Sequence, residues 1–289
     1  MANTSTYEKY FVPAQSRMPV LMAFSMFLSV YGAGRWLNGG TATIFMLGAL
    51  CLAFTMFNWF SKVIGENLAG LNSDQLKRSY VWGMGWFIFS EVMFFAAFFG
   101  ALFYVRALNG PWLGGEFGDS LSYFGKDFTF NWPMLENPNN AVFTPPEGVI
   151  HAMGLPLWNT IILISSSVTV TIAHHALIAQ KRQQLNIWLG LTVLLGCVFL
   201  YFQATEYHEA YTELGLTLHS GIYGTTFFML TGFHGAHVTI GTFMLLMMFI
   251  RSLKGHFKPN DHFGFQAAAW YWHFVDVVWI CLFVFVYWI

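Results

Sequence analysis

The chain has 289 residues, of which 56% are hydrophobic, 19% aromatic and only 9% charged, with a formal net charge of −1. A soluble domain carries about 25% charged residues, so a water-exposed surface of this size is excluded, and the aromatic content excludes a disordered chain. The near-zero charge also lacks the basic field of a nucleic-acid binder, so no nucleic-acid partner is expected.

Stretches free of Asp, Glu, Lys and Arg mark the elements in chain order. The first lies between Arg17 and Arg35, the second between Arg35 and Lys62. The third runs from Arg78 to Arg106, interrupted only by Glu91. The fourth lies between Glu147 and Lys181, the fifth between Arg182 and Glu206, and the sixth between Glu213 and Arg251. The last follows Asp261 to the end and is interrupted only by Asp276. Each is long enough for a spanning helix of about 20 residues. The reading is an all-α integral membrane protein with seven transmembrane helices. The first apolar run begins near Met18 with no small-residue cleavage site after it, so it is expected to remain as a helix rather than a removed signal.

With the N-terminus inside, ten of the 13 Lys and Arg fall on the inner side; only Arg35, Arg106 and Lys126 fall outside. The positive-inside rule favours this orientation, with the C-terminus outside. Glu116, Asp119, Asp127, Glu136 and Glu147 cluster on the other side, in a Pro- and Gly-rich outer connection expected over 106–148. Cys51, Cys197 and Cys281 lie singly in apolar runs, where free Cys behaves as a small hydrophobe. There is no phosphate-binding loop, dinucleotide fingerprint, HExxH or nucleophile elbow.

Two intramembrane acids stand out. Glu91 lies near the middle of the third span, with Phe87, Ile88, Phe94 and Phe95 as its helical neighbours and so no basic partner on the same helix. A lone acid there costs about 2.5–3.5 kcal/mol, and such acids carry function by default. Glu91 is therefore a candidate proton-linked or head-group-binding carboxyl, against the bland reading of a hydrogen-bonded packing residue. Asp276 has His273 three residues before it, on the same helix face. That pair reads as a proton-carrying unit or as a structural hydrogen bond.

Of the ten histidines, His174 and His175 are adjacent and point about 100° apart on a helix, so they do not readily share a metal. His234 and His237 share a face and, with Glu206 or Glu209, offer a carboxylate–imidazole metal site as a weaker alternative. Arg251, Lys254 and His256 follow the sixth span and suit an anionic lipid head group, or simply mark topology, as Lys77–Arg78 and Lys181–Arg182 do. Trp and Tyr at the span ends form an interfacial belt. Trp270-Tyr271-Trp272 is dense enough to pack a partner, and Gly232, Gly235 and Gly241 allow close helix approach.

Four segments carry a resemblance. They are Phe89 to Phe95, Trp158 to His175, Gly221 to His237, and His262 to Trp279. Together they closely resemble subunit III of the aa3-type cytochrome c oxidases, in a bacterial form, over nearly the whole chain. The resemblance implies two bundles, helices 1–2 (residues 1–70) and helices 3–7 (71–289), separated by a lipid-binding cleft. It implies a non-catalytic subunit with no redox centre of its own and with bound phospholipids. Haem a and copper lie in the partner subunits I and II, and the complex uses cytochrome c in a bacterial cytoplasmic (inner) membrane. It implies support of subunit I and of proton uptake, with Glu91 as the family's intramembrane acid. It also implies lipid binding by Arg251, Lys254 and His256, with Trp59 and Glu66 facing the cleft. Departures are the long 111–147 connection, His208 and Ser220, and the absence of an acid in Gly154-Leu155-Pro156. The alternatives are a self-standing His-rich membrane metal oxygenase and, more weakly, a transporter.

Overall fold

A computed structural model describes residues 15–116 and 128–288. Lys9, Lys126, Asp119 and Asp127, used above in the charge count, lie outside the described residues. Seven long apolar helices follow one another: α1 (Met18–Leu37), α2 (Thr43–Leu68), α3 (Asp74–Phe103), α4 (Leu155–Ile178), α5 (Arg182–Thr212), α6 (Gly221–Leu253) and α7 (Phe263–Leu282). No strand occurs among the described residues. Helices suit a bilayer because every backbone polar group is satisfied within the segment. Pro19 and Pro156 sit in the first turns of α1 and α4, where a missing N–H costs nothing.

The third span is longer than its charge pattern suggests. α3 continues through a π-helical turn (Tyr104–Asn109) and a last α-turn (Gly110–Leu113). Arg106, read from sequence as the start of the outer connection, is therefore helical, and the connection begins only after Leu113. Pro111 explains the widening. It cannot donate a backbone hydrogen bond and its ring crowds the carbonyl four residues back. The chain answers with a wider turn, in which the Gly110 N–H reaches the Val105 carbonyl.

The backbone divides into two compact units, residues 1–82 and 83–289, with the division inside α3. In the first unit α1 and α2 meet backbone to backbone. A Cβ on Gly32 would lie 2.3 Å from the Phe45 nitrogen, and one on Gly48 2.4 Å from the Ser29 nitrogen. The buried polar groups here satisfy themselves: Ser25 donates to the Leu21 carbonyl and Thr55 to the Cys51 carbonyl, both at 2.8 Å.

In the second unit α4, α5, α6 and α7 close a ring, each packed on its neighbours and α4 returning to α7. α7 is the most buried: half of its apolar stretch is covered, against 11% in each of α1, α2 and α3. Trp272 and Trp279 are fully buried, and their indole N–H groups donate to Ser166 Oγ and Thr160 Oγ1 of α4, each at 2.9 Å. A buried indole needs such a partner. Tyr271 and Trp272 are thus core residues, which corrects the expectation that Trp270-Tyr271-Trp272 offers a partner surface; Trp270 alone of the three is half-buried.

The glycines of α6 do allow close approach, chiefly by side chains: Gly241 lies under the Trp272 ring and Gly235 under Gln203. Gly221 has φ +84°, and a Cβ there would fall on Asn137 of the outer connection. Ser220, read from sequence as a departure from the resemblance, closes that turn: its Oγ accepts from the Thr217 N–H at 2.9 Å and donates to the Gly215 carbonyl at 3.1 Å. Arg182, read as a topology mark, donates to the Ser252 and Leu253 carbonyls and so caps the end of α6.

Candidate functional site

Glu91 lies on α3 and finds its partner on α6. The His237 Nε2 is 2.9 Å from Glu91 Oε2. α3 also carries Lys77 and Arg78, 14 and 13 residues before Glu91 and too far along the helix to pair with it, and the sequence had no means of aligning α3 with α6. The other imidazole nitrogen settles the chemistry. His237 Nδ1 is 2.6 Å from the Phe233 carbonyl, which only accepts, so Nδ1 carries a hydrogen. One further proton then lies between Glu91 and His237. On the carboxyl it leaves both groups neutral; on Nε2 it makes a carboxylate–imidazolium pair. The pair as a whole is neutral either way, which lowers the cost of its intramembrane position.

Aromatic rings wall the pair. Phe95 lies 5.0 Å from the His237 ring centroid, Phe94 6.0 Å, and Tyr271 stacks at 6.4 Å. His237 and Glu91 side chains keep 13% and 22% exposure.

The second acid is set between α4 and α7. His273 Nδ1 lies 3.7 Å from Asp276 Oδ2, within ion-pair but beyond hydrogen-bond reach. Its hydrogen-bond partner is Ser167 Oγ of α4, at 2.7 Å, with Thr171 Oγ1 at 3.4 Å from Nε2. Asp276 is 5% exposed. Neither Ser167 nor Thr171 was singled out from sequence. A period-matched search of α4 for hydroxyls facing His273 would have found them only with the α4–α7 pairing in hand.

The histidines proposed as a metal alternative part company. His234 is fully buried, with Nε2 3.2 Å from the Val275 carbonyl and its ring against Trp279, while His237 serves Glu91. Glu206 accepts from Tyr287 Oη at 2.5 Å. Among the described residues no three His, Cys, Asp or Glu are grouped to hold a metal ion.

The basic residues after α6 do not converge on one exposed point. Arg251 is 8% exposed, with its guanidinium 4.8 Å over the Phe257 ring. Lys254 is exposed and His256 half-buried. Burial, and then the charges of Arg251 and Lys254, push the His256 imidazole below its ordinary value of 6.5. Trp59 and Glu66 are half-buried on α2 and, seven residues apart, share one face.

Seven spanning helices with two acid–imidazole pairs among them define a polytopic membrane protein. The profile of the cytochrome c oxidase subunit III family matches residues 8–122 and 130–289. Among relatives named cytochrome c oxidase subunit 3, those of Dugong dugon and Homo sapiens are 40% and 39% identical over 282 residues, and that of Loxodonta africana is 40% identical. Each alignment covers 96% of this chain and 96% of the relative. The chain belongs to the cytochrome c oxidase subunit III family and is a subunit of that enzyme complex; these relatives do not favour the metal-oxygenase alternative.

Proposed function

We propose that the chain is the non-catalytic subunit that stabilises catalytic subunit I, binds structural phospholipid and supports proton uptake. The observation that carries this reading is the Glu91–His237 contact, an acid and an imidazole 2.9 Å apart inside an aromatic wall. Haem a and copper belong, on this reading, to partner subunits I and II, which pass electrons from cytochrome c to O2. His273 and Asp276 are the second proton-linked pair.

Lipid head groups are assigned to Lys254 and His256 at the end of α6. Arg251 shapes the seat from beneath by its contact with Phe257. Glu66, Trp59 and Glu91 are the further lipid-facing candidates, and a two-helix domain (1–70) beside a five-helix domain (71–289) remains the working division. The family match breaks between residues 122 and 130, inside the long outer connection. The bacterial form in a cytoplasmic membrane is proposed from the sequence resemblance and the long 111–147 connection alone. The test is a tagged purification in mild detergent, with a visible spectrum and metal analysis before and after stripping this chain from its partners. Haem and copper should stay with the larger subunits and leave this chain colourless; stoichiometric metal retained on this chain alone overturns the reading.

A further inference from the structure

The core between α5, α6 and α7 buries a further acid, Glu206, that the proposed function leaves without a role. α7 runs on into a π-helical turn (Phe283–Trp288), and from it Tyr287 turns inward. The Tyr287 phenol donates to Glu206 Oε1 at 2.5 Å. Glu206 is fully buried, and its second oxygen, Oε2, has no partner. Gln203 lies three residues earlier on α5, on the same helix face. Its Nε2 donates to the Thr231 carbonyl of α6 at 2.8 Å, which settles the two ends of the amide. Gln203 Oε1 is then an acceptor, and it too is buried without a partner. Two orphaned oxygens stand one turn apart on α5, where buried polar atoms are as a rule hydrogen-bonded.

No positive charge faces Glu206. The ionisable groups around it are Glu209 and the Tyr207 phenol on α5, the Tyr223 phenol on α6, and Tyr287 on the terminal turn. The Tyr207 hydrogen is committed elsewhere. Thr231 Oγ1 donates to the Phe227 carbonyl at 2.7 Å and therefore receives from Tyr207 Oη, also at 2.7 Å. The outer connection covers the acid's surroundings. Met134, Ile150, Leu216, Tyr223 and Phe227 form a buried apolar cluster, against which Tyr287 packs. Trp132 sets its edge on Tyr223 with ring centroids 5.6 Å apart. An ionised Glu206 would have a single phenol to solvate it and a second acid beside it. Buried charges persist where they are paired and hydrogen-bonded, and here neither condition is met.

We propose that Glu206 is a buried carboxylic acid whose own hydrogen, on Oε2, bonds Gln203 Oε1 and locks the terminal turn of α7 to α5 and α6. One hydrogen then satisfies both orphaned oxygens. The clamp runs from the Tyr287 hydroxyl to Glu206 Oε1, from the Glu206 Oε2 hydrogen to Gln203 Oε1, and from Gln203 Nε2 to the Thr231 carbonyl. This proton is held and not passed on, because the clamp ends on a backbone carbonyl, which only accepts. The site is in this respect unlike the two acid–imidazole pairs, and it stands whether or not those pairs serve proton uptake. Ionisation of Glu206 removes the donor to Gln203 and leaves a charge beside Glu209, so it releases the terminal turn. While the clamp is closed, Tyr287 is fastened inward and Phe285 and Trp288 of the same turn stay exposed.

The test combines infrared difference spectroscopy with amide hydrogen exchange on the assembled oxidase in lipid at neutral pH. Glu206→Gln keeps both bonds, since its amide N–H donates to Gln203 and its carbonyl accepts from Tyr287. That variant should assemble with unchanged exchange of the 283–288 amides, and its spectrum should lack one carboxylic-acid C=O band of the parent. Tyr287→Phe and Gln203→Leu each remove one bond. The acid band should persist in both at higher frequency, and the terminal-turn amides should exchange roughly fivefold faster, the factor for one net hydrogen bond. Loss of carboxylate bands in place of an acid band in Glu206→Gln overturns the proposal, as does an acid band that Gln203→Leu leaves unmoved. Failure of Glu206→Gln to assemble overturns it too, because the amide supplies the same hydrogens. Should Tyr287→Phe or Gln203→Leu not fold, the Glu206→Gln spectrum decides alone.

Discussion

The Glu91–His237 pair makes a sharp prediction, because two substitutions that both remove the acid–base couple should behave differently. In Glu91→Gln the new amide N–H donates to His237 Nε2, which becomes a simple acceptor while Nδ1 keeps its bond to Phe233. One hydrogen bond replaces another and the pair stays neutral, so the change in stability is about 0–1 kcal/mol. In His237→Leu, Glu91 loses its only partner on α6 and stands alone among Phe94, Phe95 and Tyr271. The cost is then the ~2.5–3.5 kcal/mol of an isolated intramembrane acid, equal to roughly a hundredfold in a retention equilibrium at ~1.4 kcal/mol per tenfold. The assay is co-purification of the chain with its oxidase across a detergent series. Glu91→Gln should be retained like the unaltered chain and should alter only proton-linked turnover, while His237→Leu is stripped at lower detergent. Loss of the complex in Glu91→Gln, or full retention in His237→Leu, would refute a shared proton as what holds the two side chains together.

Three further outcomes are expected. The double change Arg251→Ala with Lys254→Ala should lower co-purifying phospholipid, measured as phosphorus per complex; an unchanged count removes the lipid seat. His256, pushed down by burial and by Arg251 and Lys254, gains its charge only below the ordinary imidazole value of 6.5. Binding of anionic vesicles should therefore strengthen as pH falls through that window, by about fivefold for ~1 kcal/mol per basic group, and His256→Asn should abolish the rise. In the first unit, Gly32→Leu drives a side chain into the Phe45 backbone and should cost ~1–3 kcal/mol or more by overpacking. Disulfide trapping between cysteines placed on α1 and α2 reads it out, and trapping as efficient as in the parent would contradict the close approach.

How much of this was legible in the sequence differs by element. The seven spans are plain because charge is excluded from the bilayer, and each charged residue that interrupts a span, Glu91 and Asp276, lies beside an imidazole. The end of α3 was not legible: the last charge, Arg106, looks like a boundary, but its long side chain tolerates a helical position, and helix end and charge boundary need not coincide. Of the two acids, Asp276 showed its partner because His273 is three residues away, whereas Glu91 met His237 across 146 positions. Pairings of that kind depend on which faces of two helices meet, and single-helix periodicity does not contain it. The same holds for His174, whose partner is not its sequence neighbour His175 but His262. The Trp270-Tyr271-Trp272 cluster misled for a related reason: in a membrane chain aromatic residues serve the interface, the core and partner surfaces alike, and only packing distinguishes them.

The glycine-mediated contact of α1 with α2 bears on how the chain is made. Its buried hydroxyls are satisfied by their own helices and its two backbones touch directly. The contacts named for the hairpin are thus made within residues 18–68. Such a pair can leave the insertion machinery as one finished body while the later helices are still being synthesised.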